Sequence, residues 1–519
     1  MSAEQTVLVE GLEERPPASS PLPPSTPSSA PPSSPLPAKP KLRLQPLDRQ
    51  QIVREVVDVD RLVGEDHEVR ALWDLLGRLD LSLFYEGIKA VEGEAGRDHS
   101  HPQALVALWI YASMRGVQAG RELAEWSKYE PACRCLLALR HVNHTTLSKF
   151  ATRYQAALHN WFVQVVHVLM AQGAVHLERV AHDGTKIRAA ASPNSFQGEE
   201  GLGECRRAAE EQWAALQQPS DRESSARQRQ AEERATKERA ERLRRAEEEL
   251  KRQGEGKKAS VTDPEARMMR ESTGGIAPNY NAQISTDDHA GVIVAYEVSQ
   301  AREDSHELQP AMDRIQENTG RLPDQTLVDG GFTTRQNILD TAERPTELVG
   351  SLGKNRSRSK LERRGVSPRF MPENFQFNPE QNCYTCPEGK VLPYKRCKQQ
   401  AGAIEKHYQA QASDCAACPF RSQCCPKAKR GRTLYRTEED AKVAAFRRKM
   451  QQPEYQKIYR RRAQVAEFSN ACLKEKRGLR RFLRRGLEKV RAELGLACLA
   501  CNVAIWIRLQ RKITPQAAT

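Results

Sequence analysis

Between residues 50 and 173, apolar side chains recur three and four positions apart, a spacing that places them on one face of an α-helix. Asn143 and Thr145 precede or begin the last of these stretches and are candidate N-caps. A short helix following a predicted helix over Cys133–Arg140 could complete a helix-turn-helix, and a plain helical bundle explains the pattern equally well. The clearest helical segments are Val69–Leu79, Pro102–Arg115 and Thr145–Gln172.

From His176 onward the period changes, and short β-type runs follow one another along the chain. Helical segments at Ser305–Asn318 and Thr334–Thr341 fall between or after these runs, which predicts an α/β sheet. The predicted strands are Leu177–Ala181, Asn281–Ser285, Val292–Val298, Thr326–Val328 and Glu347–Leu352.

Two segments interrupt the predicted sheet. The first, residues 193–258, contains Ala226–Arg252, a run of Glu, Arg, Lys, Gln and Ala with few large apolar side chains. A charged helical arm is preferred over a coiled coil there, because the apolar seam that a coiled coil needs is poor. The second interruption, residues 375–432, holds most of the cysteines.

The chain has 519 residues, too many for one small core, so several domains are expected. Residues 1–46 are predicted to be a disordered Pro/Ser-rich tail, residues 47–175 a helical domain, and residues 176–519 the α/β domain with both insertions. No signal sequence is predicted, so the cytoplasm is the expected location. The apolar stretch Leu496–Ile507, interrupted by Asn502, is shorter than the roughly 20 residues that span a bilayer. No membrane partner is therefore expected.

Basic residues exceed acidic ones: 81 Lys and Arg stand against 67 Asp and Glu, a net charge of +14. Such an excess favours polyanionic partners such as nucleic acid. Charge alone does not identify a partner, so the placement of the cations decides what it means.

Thirteen cysteines in a protein expected in a reducing compartment call for an explanation other than disulfides. Seven of them lie between residues 383 and 425, within which the pattern Cys-x-x-Cys-Pro occurs twice. Each such turn lets two thiolates face one ion, so the pair predicts a tetrahedral structural zinc site. Two ligand sets remain open: Cys383, Cys386, Cys415 and Cys418, or Cys386, Cys415, Cys418 and Cys424.

The remaining cysteines give weaker signals. Cys498 and Cys501 share the two-residue spacing, but they lie in an apolar helical pattern, and core packing explains them better. Cys133 and Cys135 are interpreted in the same way. The patterns around Cys205 and Cys472 predict no role.

Asp183 and Asp329 each follow an apolar strand pattern and are followed directly by glycine. Acids in that position lie at the edge of a sheet, where ligands bind. Each alone could be an ordinary strand-to-turn residue, but two neighbouring carboxylates repel unless a cation or a proton relieves them. The nearby acids Asp287, Asp288 and Asp304 compete for a metal-binding role and are interpreted first as loop acids.

A third acid, Glu467, lies on a helical pattern that runs to Lys474. Arg460, Glu467 and Lys474 are seven residues apart, which turns each about 20° from the next and predicts one shared face. A surface ion-pair row would explain this, but a dense basic stretch follows and favours binding of a phosphate backbone beside a carboxylate. Its cations are Lys474, Lys476, Arg477, Arg480, Arg481, Arg484 and Arg485.

Five motifs occur in a fixed order along the chain. With these motifs, the sequence from about residue 60 to residue 509 resembles bacterial insertion-sequence transposases of the DDE type. The motifs are Asp183-Gly-Thr-Lys-Ile-Arg, then Thr262-Asp-Pro-Glu-Ala-Arg-Met-Met with Pro278-Asn-Tyr-Asn-Ala-Gln, then Asp329-Gly-Gly-Phe, the two cysteine knuckles, and Arg462 to Glu467 with Lys474.

The resemblance implies an α/β fold: an RNase H-like mixed-sheet core, an all-helical N-terminal domain that helps bind DNA, a charged helical insertion and a small zinc-binding insertion. It implies that Asp183, Asp329 and Glu467 form a catalytic triad. The family usually has Tyr where Phe332 stands. Its first knuckle has one cysteine, which leaves Cys383 as a spare or an alternative zinc ligand beside Cys386, Cys415, Cys418 and Cys424.

The activity so implied is cleavage at the ends of an insertion sequence, followed by strand transfer into target DNA. The triad would hold two Mg²⁺ ions, with Mn²⁺ as a substitute. A homodimer or larger assembly is expected, in the bacterial cytoplasm and at the nucleoid when acting. Alternative functions are a transposase-derived DNA-binding protein without catalysis, and a metal-dependent nuclease. The predicted DNA-binding residues are Arg460, Arg462, Lys474, Lys476, Arg477, Arg480 and Arg481.

Overall fold

A computed structural model describes most of the chain after residue 55. The predicted tail, residues 1–46, lies outside the described residues. These are residues 56–86, 88, 99–217, 226–271, 274–351, 356–400, 403–428, 430–438 and 441–513.

Seven helices precede the first strand, in the segment where the sequence predicts helices. Asn143 caps α6, because its side-chain oxygen accepts a hydrogen bond from the Thr146 backbone N–H at 2.8 Å. The helix predicted over residues 145–172 is two helices, since the backbone leaves helical geometry at Tyr154. The helices are α1 Glu68–Leu76, α2 Ser82–Tyr85, α3 Pro102–Met114, α4 Gly120–Tyr129, α5 Pro131–Leu136, α6 His144–Arg153 and α7 Gln155–Ala171.

Eight strands follow, six of them in one mixed sheet. All five predicted strands are present, and Arg267–Arg270, a short run with charged ends, is an additional strand that its pattern does not predict. The strands are β1 Arg179–Arg188, β2 Phe196–Gln197, β3 Ala259–Ser260, β4 Arg267–Arg270, β5 Ile276–Asp287, β6 Ile293–Ser299, β7 Gln325–Val328 and β8 Glu347–Gly350.

The main sheet has the order β4-β5-β1-β7-β8, with β6 also paired to β5. Strand β1 pairs antiparallel with β5 and parallel with β7, and β7 pairs parallel with β8. The sequence predicts Asp183 at the end of β1. The strand continues to Arg188, however, so Asp183 lies within it. The long antiparallel pairing with β5 is what carries β1 past the glycine at position 184.

The predicted charged arm is a pair of helices, α8 Glu199–Gln217 and α9 Ala226–Gln253, which pack against each other. Leu202, Ala209, Leu243 and Ala246 form a narrow apolar seam between them. At the base of the arm, β2 pairs with β3 in a separate two-stranded sheet.

The cysteine-rich insertion is a small antiparallel sheet with two short helices. Its strands run in the order β13-β12-β11-β10-β9. Between the main sheet and the C-terminal helices lie α12 Arg356–Arg363, β9 Gln376–Asn378, β10 Cys383–Thr385, β11 Val391–Gln400, β12 Ala403–Gln409, α13 Ala412–Ala416, α14 Arg421–Cys424 and β13 Thr433–Glu438. Two earlier helices, α10 Leu308–Thr319 and α11 Arg335–Thr341, lie within the main-sheet segment, before and after β7.

Three long helices close the fold. They are α15 Ala441–Gln451, α16 Pro453–Ala471 and α17 Leu487–Ile513. Helix α16 runs directly into a π-helical turn, Cys472–Lys476. It packs across strands β1, β5, β7 and β8 of the main sheet.

One apolar core joins the N-terminal helices to β5, β6 and α17. The boundary that the sequence predicts between residues 175 and 176 therefore separates two kinds of element but not two cores. A second core surrounds β7 and β8 and contains side chains from α10, α11, α15 and α16.

Helix α17 is, by length and composition, apolar enough to cross a membrane between Leu487 and Arg511. Most of this stretch is buried against α3, α7 and β6, and a core helix has the same apolar character. The buried Asn502, which interrupts the apolar stretch, accepts from the Ile293 backbone N–H at 2.9 Å and donates to the Ile293 carbonyl at 2.8 Å. The polar residue thus fastens α17 to the first residue of β6.

Candidate active site

Asp183 and Asp329 lie on neighbouring parallel strands. The last paired residues of β1 and β7 are Ala181 and Leu327, and each aspartate stands two positions further along its own chain. The Asp329 carboxylate is held by the backbone of the turn that follows β7, where it accepts from the Gly331 N–H at 2.7 Å. The pairing of the two strands therefore brings together the two acids that the sequence predicts.

Helix α16 covers Asp183 with two side chains. Arg462 Nη1 lies 3.5 Å from Asp183 Oδ1, and Asn470 Nδ2 donates to Asp183 Oδ2 at 2.8 Å. Thr286 Oγ1 on β5 donates to Ser469 Oγ on the same helix at 2.8 Å, which fixes the helix on the sheet. Asn470 is not among the predicted site residues. Its spacing of eight residues from Arg462 places both side chains on the same side of the helix.

The Asp183 carboxyl group is a buried acid whose charge is only partly compensated. Burial raises the pKa of Asp183, Arg462 opposes this, and the negative charge of Asp329 raises the pKa further. The side chain is 21% exposed. A pKa raised by burial and a second carboxylate is typical of functional acids, although buried ion pairs also produce it.

Lys474 reaches the same strand from the π-helical turn. Its Nζ donates to Thr185 Oγ1 at 2.6 Å, two residues beyond Asp183. Burial lowers the pKa of Lys474, and the nearby Arg480 lowers it further. The predicted face shared by Arg460, Glu467 and Lys474 is not formed as a continuous helical row, because the helix changes to a wider π turn at Cys472.

Glu467, the third predicted acid, lies on α16 but is exposed, and it makes no hydrogen bond or ion pair with the residues that the structure describes. Position 467 is about 60° around the helix from Asn470. Among the described residues, no group of three or more His, Cys, Asp or Glu side chains is arranged to hold a metal ion. The structure thus brings Asp183 and Asp329 together without closing Glu467 onto them.

The three competing acids have different environments. Asp287 is buried and accepts from the backbone N–H groups of Leu177 and His289, as a structural turn acid does. Asp288 pairs with two arginines of β1 and α16. Asp304 approaches β1 over Gly184, where any side chain would collide with it, and pairs with Lys186 at 3.5 Å.

A row of cations follows β1 away from Asp183. After Lys474 at Thr185, the segment from Arg480 to Phe482 runs beside the end of β1, and the Phe482 N–H donates to the Arg188 carbonyl at 2.8 Å. Arg481 and Arg485 donate to the Ala189 and Ala190 carbonyls, each at 3.2 Å. We call this row, formed by Lys474, Arg480, Arg481 and Arg485, the basic track.

The predicted DNA-binding residues divide into exposed and buried ones. Arg460, Lys476, Arg480 and Arg481 are exposed. Arg477, in contrast, is 7% exposed and donates to the Met114 carbonyl at the end of α3. Its prediction as a DNA-binding residue is corrected, because its guanidinium group is used to hold the π turn against the N-terminal helices.

Five cysteines line a cavity of about 30 Å³ in the insertion: Cys386, Cys415, Cys418, Cys424 and Cys425. Cys383 does not line it; its sulfur faces Gln381 Oε1 at 3.8 Å. The Lys390 and Arg432 backbone N–H groups donate to the sulfurs of Cys386 and Cys415, at 3.3 and 3.4 Å. Burial raises the pKa of Cys424 to about 12.

Four of the lining cysteines form the second ligand set left open by the sequence. Cys425 was not a predicted ligand, although it too contacts Cys415. As arranged, these thiols do not form a group that could hold a metal ion. All thirteen cysteines are free thiols in the structure.

A cavity among the described residues lies away from these groups. It measures about 730 Å³ and lies between α11, α15 and the start of β8, with Leu348, Phe446 and Lys449 in its walls. Asp183 and Lys474 are partly exposed, and Arg480, Arg481 and Arg485 are exposed, so a polymeric substrate could reach them from the surface.

No curated protein sequence matches this chain significantly. Residues 385–506 match the family model described as the transposase DDE domain. The matched segment includes Glu467, Lys474 and the cavity-lining cysteines, whereas Asp183 and Asp329 precede it. Over residues 385–506, the match confirms the resemblance to DDE-type transposases.

Proposed function

We propose that this protein is a DNA transposase that cleaves phosphodiester bonds at the ends of a mobile element and transfers the freed strands into target DNA. One observation carries the proposal: a half-buried pair of carboxylates, Asp183 and Asp329, lies at the head of the basic track. Cations beside the C-terminal half of β1, an inner strand paired with β5 and β7, would position a phosphate backbone, and the carboxylates at the head of the track would supply the chemistry.

The core that carries this pair is proposed to be RNase H-like. The order β6-β5-β1-β7-β8, with β6, β5 and β1 antiparallel and β1, β7 and β8 parallel, supports this. In such a sheet the central strand carries the first acid, and its parallel neighbour carries the second.

Asp183 and Asp329 would hold a divalent cation. Their donor atoms fit, since carboxylate oxygens are the ligands that Mg²⁺ prefers, and the repulsion between the two acids is relieved by a shared cation. When bound, Mg²⁺ or Mn²⁺ would supply Lewis-acid stabilisation of phosphate oxygens and a more acidic bound water. Glu467, on the helix above, is proposed as the third ligand, and a second ion depends on its joining the pair.

The chain's own residues orient the reacting groups. Asn470 donates a hydrogen bond to Oδ2 of Asp183, and Arg462 donates to Oδ1 of the same carboxylate. Lys474, fixed by Thr185, places a positive charge two residues from that acid. The basic track then continues to Ala190, so a DNA strand laid along β1 would keep its backbone in contact with cations beyond the cleaved bond.

The decisive experiment compares binding and cleavage. The full chain is incubated with Mg²⁺ and labelled duplex DNA from the flanks of its own gene, and nicked and joined products are separated. Asp183→Asn and Asp329→Asn should bind DNA as wild type does and cleave it at least about 10³-fold more slowly. Wild-type binding without any cleavage would reject the proposal, and nicking without joining would leave a nuclease.

A DNA-binding protein without catalysis is the second candidate, and the exposed position of Glu467 favours it. Glu467→Gln distinguishes the two. In a transposase this variant loses cleavage, whereas in a binding protein both variant and wild type bind equally and neither cleaves. Glu454→Gln, which alters another acid near the start of α16, is a matched control.

The cysteine cavity is proposed to hold a structural zinc ion through Cys386, Cys415, Cys418 and one of Cys424 or Cys425. Four thiol donors suit zinc, and backbone N–H groups already donate to the sulfurs of Cys386 and Cys415. As arranged the thiols do not form a metal-holding group, so zinc would have to draw them together. Measured zinc content should be about one per chain. Cys424→Ser and Cys425→Ser, compared for zinc content, identify the fourth ligand.

The assembly and location follow from the proposed reaction. Two element ends must be handled together, so a homodimer or larger assembly is proposed, in the bacterial cytoplasm. Sedimentation of the protein with and without DNA ends tests the assembly.

A further inference from the structure

Three thiols meet where the π-helical turn contacts α17. The Cys472 sulfur lies 3.1 Å from the Cys501 sulfur. Cys498, one turn earlier on α17, is completely buried and close enough to be affected by the charge of Cys472. The sequence predicted core packing for the two α17 cysteines and gave no role to Cys472, because their proximity depends on how the π turn folds onto the helix.

The surroundings of this cluster favour a thiolate on Cys472. Cys501 donates to the Cys472 sulfur, which lowers the pKa of Cys472, and the nearby Arg477 and Lys476 act in the same direction. The same hydrogen bond raises the pKa of Cys501. A thiolate is the nucleophilic form of cysteine, so the two sulfurs have unequal reactivity.

The two sulfurs also differ in access. Cys472 is partly exposed, whereas Cys501 is 4% exposed. Oxidation-sensitive cysteine pairs consist of a solvent-accessible thiolate and a neighbouring thiol that can resolve its oxidised form. The pair is separated from the cysteine cavity in sequence and belongs to a different core.

We propose that Cys472 and Cys501 are a peroxide-sensitive dithiol, which closes to an intramolecular disulfide that joins the π-helical turn to α17. The oxidant is hydrogen peroxide. The Cys472 sulfur attacks one peroxide oxygen, an S–O bond forms, the O–O bond breaks, and the leaving hydroxide takes up the thiol proton as water. The Cys501 sulfur then attacks the sulfenic sulfur, so that an S–S bond replaces the S–O bond and a second water carries away the remaining proton.

The cross-link has a structural consequence. A disulfide needs a sulfur separation of about 2.05 Å, so closure draws the π turn toward α17 by about 1 Å. Lys474 lies in that turn and holds Thr185 on β1. Oxidation would therefore attach the π-helical turn Cys472–Lys476, which carries Lys474 of the basic track, covalently to α17.

The test reads the thiols themselves. The folded full-length protein is treated with hydrogen peroxide, free thiols are blocked, and the digest is mapped by mass spectrometry. We expect a peptide pair joined through Cys472 and Cys501, lighter by two hydrogen atoms, which forms at least about 10-fold faster than Cys205 is oxidised. Cys205 is a partly exposed thiol on the helical arm and serves as the internal reference.

Variants identify the order of events. Cys501→Ser should stop at the sulfenic acid of Cys472, which a carbon-acid trapping reagent captures, while Cys498→Ser should still form the disulfide. The first measurement uses the wild-type protein, so the proposal can be tested even if a variant fails to fold. Absence of the linked peptide after Cys205 has reacted, or a linkage through Cys498 in its place, would overturn the proposal.

Discussion

The carboxylate pair and the cysteine cavity are assembled by the chain in opposite ways. Both thiols of the second knuckle, Cys415 and Cys418, reach the same cavity through a local turn, whereas only Cys386 of the first knuckle lines it. Asp183, Asp329 and Glu467 come from two strands and a helix, and only the two strand residues, fixed by direct pairing, are brought together. Short spacing therefore predicts a cluster more reliably than an ordered set of distant acids.

The two regions also differ in what they do for stability. Burial of the Asp183 charge beside Asp329 opposes folding, whereas the thiol cavity lies in a small apolar core of its own. A small domain of that kind commonly depends on a metal for its stability. We expect substitutions in the two regions to change stability in opposite directions.

The largest effect is expected from Asp183→Asn. Cleavage should fall by about 10³-fold or more, since the variant removes an acid that we propose as a ligand of the reacting ion. Stability at neutral pH should rise. The folded-state pKa of Asp183 is raised, so the native state binds its proton more tightly, and stability falls as pH increases from the ordinary pKa of aspartate through the raised one. Thermal unfolding at pH 7 measures the gain, and a lower melting temperature would show that the Arg462 contact outweighs the burial.

Cys415→Ser tests the other side of the comparison. Its zinc content should fall to near zero, and the free energy of unfolding of the insertion should decrease by about 3 kcal/mol or more, because metal binding and folding are coupled. Cys383→Ser is the matched control, since its sulfur lies outside the cavity. Equal loss of zinc in both variants would favour the ligand set that includes Cys383.

Several elements of the fold follow from local patterns, although the sequence predicts no individual helix or strand within the cysteine-rich insertion. The alternating runs around β1, β5 and β7, the charged composition of α9 and the cap at Asn143 are all expressed within short windows of sequence. The extent of β1 beyond Asp183 is not, because it is set by pairing with β5, which lies about 100 residues away.

The site shows the same limit. The two aspartates and the Cys386 cavity could be found from spacing, but the contact of Asn470 with Asp183 depends on the angle at which α16 crosses the sheet. The π turn at Cys472 likewise changes the register of Lys474 without any signal in the helical period. Asn470 is therefore not identifiable from the sequence alone, whereas Arg462, which also contacts Asp183, is predicted as a DNA-binding residue.

Arg477 and Arg460 separate structural cations from DNA-binding ones. Arg477→Ala should lower the free energy of unfolding by about 2 kcal/mol, because it removes a buried charged hydrogen bond to the Met114 carbonyl. Arg460→Ala should leave stability within about 0.5 kcal/mol of wild type, since the residue is exposed. Chemical unfolding and DNA titration of both variants give the two readouts. Loss of DNA affinity in Arg477→Ala at full stability would restore its sequence-based prediction.

The smallest effect is a pH shift at Asn470. Its amide donates to Asp183 and favours the charged carboxylate, so Asn470→Ala should raise the pKa of that acid further. The acid limb of the cleavage profile should then move to higher pH, by less than about one unit, while the rate at high pH changes little. Gln464→Ala, an exposed position on the same helix, is the control. If both variants keep the wild-type acid limb, Asp183 does not titrate in the step that limits cleavage, and the raised pKa of Asp183 plays no part in that step.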